Sequence, residues 1–301
     1  MRLVSFQLDR ATRVGVVGEG ENVVAIDDVA PGAPASMREV VEGWAGIAPL
    51  LTDRALRAVA GTPLDRVRLS APIRPLRNVF CVGWNYSEHF AEGRAIHSAA
   101  GHAEMPEHPA LFTKQPHAIV GPDQPVRHPG PHSSELDWEV ELAVVIGKGG
   151  RDIPEERALE HVFGYTIGND VSVRDHQRSR HGGQWMKGKS FDTHCPLGPW
   201  IVTADEIPDP QVLDISSRIN GVTKQASNTR HMVFPVARII AELSVGMRLV
   251  PGDVILTGTP EGVGFARKPP EFLRPGDLME MEIEGIGVLR NKVVAYEEAA
   301  S

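Results

Sequence analysis

The sequence predicts an α+β protein whose main domain is dominated by β-structure. Three observations carry this. Glycine (30) and proline (24) are abundant among 301 residues while aromatics make up only 6%, the composition of a chain with many tight turns. From Leu136 to Ile146 every even position (Leu136, Trp138, Val140, Leu142, Val144, Ile146) is apolar, the period of a strand with one face on a core. Two similar units, Leu249–Leu256 and Leu273–Glu280, each send a Pro-Gly turn into a strand, and Asn220-Gly221 is a strong hairpin signal.

Taken in order, Leu3–Leu8, Val14–Val17 and Val23–Ile26 read as short strands. Ser36 with Glu39 forms a capping box opening a helix to about Leu51, interrupted at Gly43, Gly46 and Pro49, and Asp53–Ala60 reads as a second short helix. The proline-containing stretch Leu69–Arg77 is a linker. It closes a small N-terminal α/β domain over residues 1–70 and leads to a larger domain over 78–299. That domain opens with the strand Asn78–Val82. Residues 93–110, rich in Ala, Gly, His and Glu, read as a mobile lid before the strand Leu111–Lys114. The Asp137–Gly147 strand follows, then a helix from Pro154 to about His161 and the strand Val162–Asn169 ending at Asp170. Trp200–Thr203, Leu213–Ile219 and Val222 are strands, Pro235 opens a helix to about Leu243, and a hairpin tipped by Gly285 and Gly287 closes the chain.

Bulk properties narrow the class. Hydrophobic residues make up 42% and charged residues 23%, ordinary for a globular chain. A net charge of −8 argues against nucleic-acid or anionic-membrane partners, and no apolar run approaches the roughly 20 residues of a membrane span. The N-terminal segment from Met1 to Phe6 lacks a signal-peptide core, which places the protein in the cytoplasm. Cys81 and Cys195 form no CxxC pair and no disulfide framework.

The chemistry concentrates on the odd face of the Asp137–Gly147 strand, where Asp137, Glu139 and Glu141 stand in one row. Buried carboxylates that close are costly to ionise without a partner, and a hard cation such as Mg²⁺ is the economical one; the plain alternative is a solvated acidic edge. Asp170, at the end of a strand, is a candidate third ligand or an ordinary strand-end cap. His89 and Glu92, three apart, meet on one helical turn as a general-base dyad, or as an exposed pair with no role. Arg174 and Gln177 can reach the same site, Arg174 as a bidentate carboxylate binder. Gly258 and Thr259 begin a glycine-rich loop whose N–H groups and Thr259 hydroxyl can receive a substrate carboxylate. Gly183 to Ser190 matches the phosphate-loop pattern G-x-x-x-x-G-K-S letter for letter. The context excludes it: a charged, non-strand segment precedes it, and Pro196 and Pro199 forbid the helix that should follow.

Seven motifs occur in order: Gly83 to Glu92 (G-x-N-Y-x-x-H-x-x-E), Phe112 to Lys114 (F-x-K), Asp137 to Leu142 (D-x-E-x-E-L), Gly164 to Asp170 (G-Y-x-x-x-N-D), Arg174 to Gln177 (R-D-x-Q), Lys189 to Thr193 (K-S-F-D-T) and Gly258 to Gly264 (G-T-P-x-G-V-G). Together they resemble the fumarylacetoacetate hydrolase family. The resemblance implies a mixed β-roll catalytic domain, usually a homodimer, with Mg²⁺ or Mn²⁺ held by Glu139, Glu141 and Asp170. It also implies Lys189 near the metal and a lid carrying His89 and Glu92. The function it points to is Mg²⁺-dependent hydrolysis of a C–C bond in an acylpyruvate or β-diketo acid, in aromatic or oxo-acid catabolism. The alternative is a decarboxylase or isomerase of a 2-oxo or 2-hydroxy-diene dioic acid such as oxaloacetate. A nucleotide-binding protein and a non-catalytic metal-stabilised module are the readings from other classes.

Overall fold

The computed structural model describes residues 1–8, 11–93 and 104–296. Its backbone is a large mixed sheet. Starting from the N-terminal unit, Asn22–Ala25, Ala11–Val17 and Arg2–Leu8 pair antiparallel and join Cys195–Thr203 through Leu3 and Ile201. The sheet continues through Val162–Asn169, Val140–Ile146, Val254–Leu256 and Val79–Gly83 to Ala110–Lys114. The N-terminal strands therefore extend the main sheet by direct hydrogen bonding. A second sheet runs Val222–Asn228, Asp214–Ile219, Leu278–Ile283, Gly287–Val294 and Val126–Arg127. Its inward side chains (Ile215, Met279, Met281, Leu289) pack with Leu142, Val144 and Ile167 of the first sheet in one core. The other face of the first sheet, with Ala143, Val145 and Leu256, packs on Met37, Val40 and Ile47 of the N-terminal helices.

The local signals explain most elements. Ser36 Oγ accepts from the Glu39 N–H and caps Met37–Glu42, and the helical run then breaks at Gly43 and Pro49. Asn220 and Gly221 both take positive φ (52° and 77°), as a two-residue hairpin with the right twist requires. Val236–Ser244 starts directly after Pro235 and buries Ile239, Ile240 and Leu243 on one stripe. Three expectations need correction. The segment before His161 is a 3₁₀ helix, Glu155–His161. The strand expected at Trp200–Thr203 starts earlier, at Cys195, and runs through Pro196 and Pro199; a register shift opposite, between Tyr165 and Ile167, absorbs the prolines. The acidic strand is also discontinuous.

That discontinuity places the chemistry. Leu136–Asp137 pairs with Ser172–Val173, whereas Val140–Ile146 pairs with Val162–Asn169. Between them the ladder is taken over by side chains. The Glu139 N–H donates to Asn169 Oδ1 at 3.0 Å, and the Val140 N–H donates to Gln225 Oε1 at 3.1 Å. The chain thus changes partner at Trp138 and Glu139 while staying buried, which a period-two pattern cannot reveal.

Asn85 ties three segments together. Its side chain donates to the Phe234 carbonyl (3.0 Å) and the Thr257 carbonyl (2.7 Å) and accepts from the Phe234 N–H (2.7 Å), with no exposed surface. Of the stretch read as a lid, residues 94–103 lie outside the described residues. No helix among the described residues is long and apolar enough to cross a membrane. Replacing Asn85 by Ala leaves buried backbone groups unpaired. Urea unfolding is expected to show a loss of about 2–4 kcal/mol; a loss below about 1 kcal/mol would show that the three segments do not depend on this side chain.

Candidate active site and metal centre

Carboxylate oxygens of Glu139, Glu141 and Asp170 lie within 4.8 Å of one another, and all three residues are buried. Two neighbouring strands supply them: Glu141 from Val140–Ile146, Glu139 from the residue pair before it, and Asp170 from the end of Val162–Asn169. Lysines and an arginine surround them. Lys189 Nζ donates to Glu139 Oε2 at 2.6 Å and Asp170 Oδ2 at 2.7 Å. Lys114 Nζ donates to Asp170 Oδ1 at 2.6 Å and to the Val171 carbonyl. Arg174 bridges Asp137 Oδ2 (2.7 Å) and Glu139 Oε1 (2.6 Å).

Lys189 reaches the cluster because Gly188 lets its short helix approach Arg174–Ser179. A Cβ on Gly188 would stand 2.5 Å from the Gln177 backbone nitrogen. The Gly-Lys-Ser of the apparent phosphate loop is therefore a close-packing glycine followed by a site lysine, with no strand before it and a strand, Cys195–Thr203, soon after.

The charges distort one another in a consistent direction. Burial pushes the Glu139 carboxyl up, but Lys189, Arg174 and His89 outweigh it and hold it well below the usual carboxylate range. Burial, with Asp170 and Glu139 as like charges, pushes Glu141 well above that range. Burial lowers Lys189 and Arg174, yet the facing carboxylates raise both, so both stay cationic. Among the described residues Asp137, Glu139 and Asp170 pair with Lys114, Lys189 and Arg174, whereas Glu141 pairs with no cation and accepts from the Gly258 N–H. An oxygen-only donor set short of one cation suits a hard divalent ion, so the residues present fit Mg²⁺ or Mn²⁺.

Beside the cluster, His89 Nδ1 lies 2.8 Å from Glu92 Oε1 on the helix Ser87–Glu92. An ionised carboxylate only accepts, so the ring donates from Nδ1 and keeps Nε2 as its basic nitrogen. Glu92 Oε2 in turn accepts from the Gly262 N–H at 2.9 Å. The dyad expected from spacing is thus formed and anchored.

The glycine-rich loop differs from its expected role. Its N–H groups do converge on anions, but these are the protein's own carboxylates. Gly258 donates to Glu141 (2.7 Å), Gly262 to Glu92, and Gly264 and Phe265 to Asp137 (2.7 and 3.0 Å). Thr259 Oγ1 gives its proton to the Val140 carbonyl and accepts from Gln225, so Gly258 and Thr259 hold the ligand strand instead of presenting donors to a substrate. Gly258 sits at φ 97° with Asn85 Cβ 2.7 Å from where its own Cβ would be, which requires glycine.

Arg174 supplies what the loop does not. Its Nη2 is buried and has no hydrogen-bond partner among the described residues, while Nη1 also donates to Gln177 Oε1 at 3.1 Å. The guanidinium lies over the Phe265 ring at 4.5 Å, and the His89 ring meets the same phenyl edge-on at 6.5 Å. A buried guanidinium nitrogen without a protein partner keeps its donor capacity, which suits a carboxylate. Lys114 and Phe265 carry no local signal of their place here: Lys114 ends the strand Ala110–Lys114 after the polar Thr113, and it is the one residue of that strand that is buried.

A fold of two packed sheets with a buried acidic triad, three cations and a His–Glu dyad defines an enzyme of one superfamily. The chain belongs to the fumarylacetoacetate hydrolase family: the model of that family's C-terminal domain matches residues 78–294. It is 44% identical over 299 residues to a mitochondrial oxaloacetate tautomerase of Xenopus laevis, covering 98% of this chain and 90% of that one. Among solved structures it resembles the fumarylacetoacetate hydrolase of Exiguobacterium antarcticum (TM-score 0.80, 40% identity, 98% and 99% of the two chains). It also resembles the maleylpyruvate hydrolase of Sphingobium sp. SYK-6 solved with manganese(II) and pyruvate (TM-score 0.80, 32% identity, 98% and 99%).

A divalent ion that binds the folded cluster stabilises the protein, by about 2.7 kcal/mol at a hundredfold excess over Kd. Because the folded Glu141 carboxyl sits above its ordinary value, the ion-free protein loses stability as pH rises from the ordinary carboxylate range, when this carboxyl must ionise uncompensated. The increment in Tm on adding Mg²⁺ or Mn²⁺ should therefore be larger at pH 8 than at pH 6. It should vanish in Glu141→Ala. An increment independent of pH, or retained in that variant, would remove Glu141 from the ligand set.

Proposed function

We propose that this protein is an enol–keto tautomerase of a 2-oxo dicarboxylic acid of the oxaloacetate class. The observation that carries the reading is the buried Arg174 Nη2, unpaired among the described residues, on a guanidinium that shares the Phe265 ring with the anchored His89. The hydrolase expectation asks more of the site, because a water must be held and aimed at the far carbonyl. The 44% identity to an oxaloacetate tautomerase over nearly the whole chain supports the simpler reaction.

Tautomerisation moves one proton between C3 and the 2-oxo oxygen. Arg174 Nη2 binds the substrate carboxylate and fixes which carbon faces His89. In ketonisation His89 Nε2 takes the enol O–H proton and delivers it to C3; in the reverse direction it takes the C3 proton and delivers it to the oxygen, while Glu92 stabilises the imidazolium formed in between. Charge that develops on the 2-oxo oxygen is met by the Lys189 ammonium, which is buried and held cationic by Glu139 and Asp170. A divalent ion held by Glu139, Glu141 and Asp170 supplies, when bound, a Lewis acid for that same oxygen. Phe265, against both Arg174 and His89, keeps water from the face where the proton moves.

A second reading remains supported by the dyad itself, since a His–Glu pair equally activates water, and two of the solved relatives bear the name hydrolase. The two are separated by following enol absorbance of oxaloacetate and, in parallel, cleavage of an acylpyruvate, each with and without Mg²⁺. The wild-type protein should accelerate ketonisation well beyond acylpyruvate cleavage. His89→Ala should lose about 10²- to 10⁴-fold of it, the usual worth of a general base. Faster acylpyruvate cleavage than ketonisation would restore the hydrolase reading. The same proposal includes a homodimer; light scattering giving one 32.7 kDa chain per particle would remove that part.

A further inference from the structure

We infer that Arg178 is the specificity-determining residue for the second carboxylate of the substrate, so that the site selects oxo-diacids over oxo-monoacids. The inference rests on the oxo-acid reading above and goes beyond it by naming what recognises the distal end. Arg174 and Arg178 are four apart on the helix Arg174–Ser179 and therefore lie on one face, a turn of about 5.4 Å apart. Both guanidinium groups rest on the same phenyl ring: Arg174 lies 4.5 Å and Arg178 5.6 Å from the Phe265 centroid. The inner arginine is buried with Nη2 unpaired among the described residues, whereas the side chain of the outer one is 30% exposed.

Both guanidinium groups rest on one ring, so a short dicarboxylate lying along that ring can meet both of them. A substrate whose inner carboxylate takes Arg174 Nη2 lies along the Phe265 ring, past the His89 edge, with its outer carboxylate at Arg178. Among the described residues Arg178 hydrogen-bonds through Nη2 to Glu135 Oε2 at 2.5 Å. That pair is partly exposed on both sides, which makes it weak, and the planar fork of arginine carries five donors. Glu135 thus aims the guanidinium without saturating it, and the ring holds its plane.

The test reads binding, not turnover. Calorimetric titration of the Mg²⁺-loaded full chain compares 2-oxoglutarate with 2-oxopentanoate, which has a methyl in place of the distal carboxylate. The wild-type protein is expected to bind the diacid about ten- to a hundredfold more tightly, the range of a charge-assisted hydrogen-bonded contact. Arg178→Gln should bring that ratio close to one. Arg178→Lys, which keeps the charge and loses the fork, should retain part of it. Arg178 is not a core residue, so neither substitution should move Tm. A ratio near one in the wild type, or a wild-type ratio in Arg178→Gln, overturns the inference. A diacid preference lost in Arg178→Gln, with no ketonisation by the wild type, would keep this assignment and remove the tautomerase reading; ketonisation without diacid preference would do the reverse.

Discussion

Four carboxylates and three cations buried together at the junction of two strand pairings are the constraint on which the rest of this structure depends. Taking such groups out of water costs several kcal/mol per ion, recovered only when every oxygen and every N–H is met. Here they nearly all are. Asp137 receives Arg174 and the Gly264 and Phe265 N–H groups, Glu139 receives Lys189 and Arg174, and Asp170 receives both lysines. Removing one member leaves another charge buried without a partner, typically a loss of 3–5 kcal/mol. Glu141 is the member with least compensation, so the cluster's oxygen donors suit a divalent ion.

The same constraint links parts of the chain far apart in sequence. The loop after Val254–Leu256 donates N–H groups to Glu141 from the metal triad, to Glu92 from the dyad and to Asp137, which orients Arg174. One turn thereby ties the His89–Glu92 pair to the acidic cluster through backbone donors, and a shift in that loop would displace Glu92, Glu141 and Asp137 together.

In the proposed mechanism, reactions that pass through negative charge on a 2-oxo oxygen would draw on the same Lys189, Arg174 and acidic triad and would differ in what His89 does with its proton. Relatives of this chain bear the names tautomerase, isomerase and hydrolase.

The sequence by itself determined the class of fold, most strands and candidate members of the acidic cluster. Period-two alternation marked the acidic strand, Asn220-Gly221 and the Pro-Gly turns marked the hairpins, and carboxylates on one strand face and at one strand end pointed to a cation. His89 and Glu92 were legible because helical spacing is local. What only the tertiary structure decided is every relation between distant residues. It showed that the acidic strand changes partners at Glu139, because Asn169 and Gln225 side chains, from two other strands, take the place of the ladder. It turned the glycine-rich loop from a substrate cradle into the anchor of three protein carboxylates, since an N–H aimed at an anion reads the same in sequence whichever anion arrives. It brought Lys114 to Asp170 across 56 positions, and it set Phe265 beneath two arginines that sequence shows only as neighbours on a helix. Local periodicity encodes which face a side chain occupies; which partner waits on that face is fixed by packing.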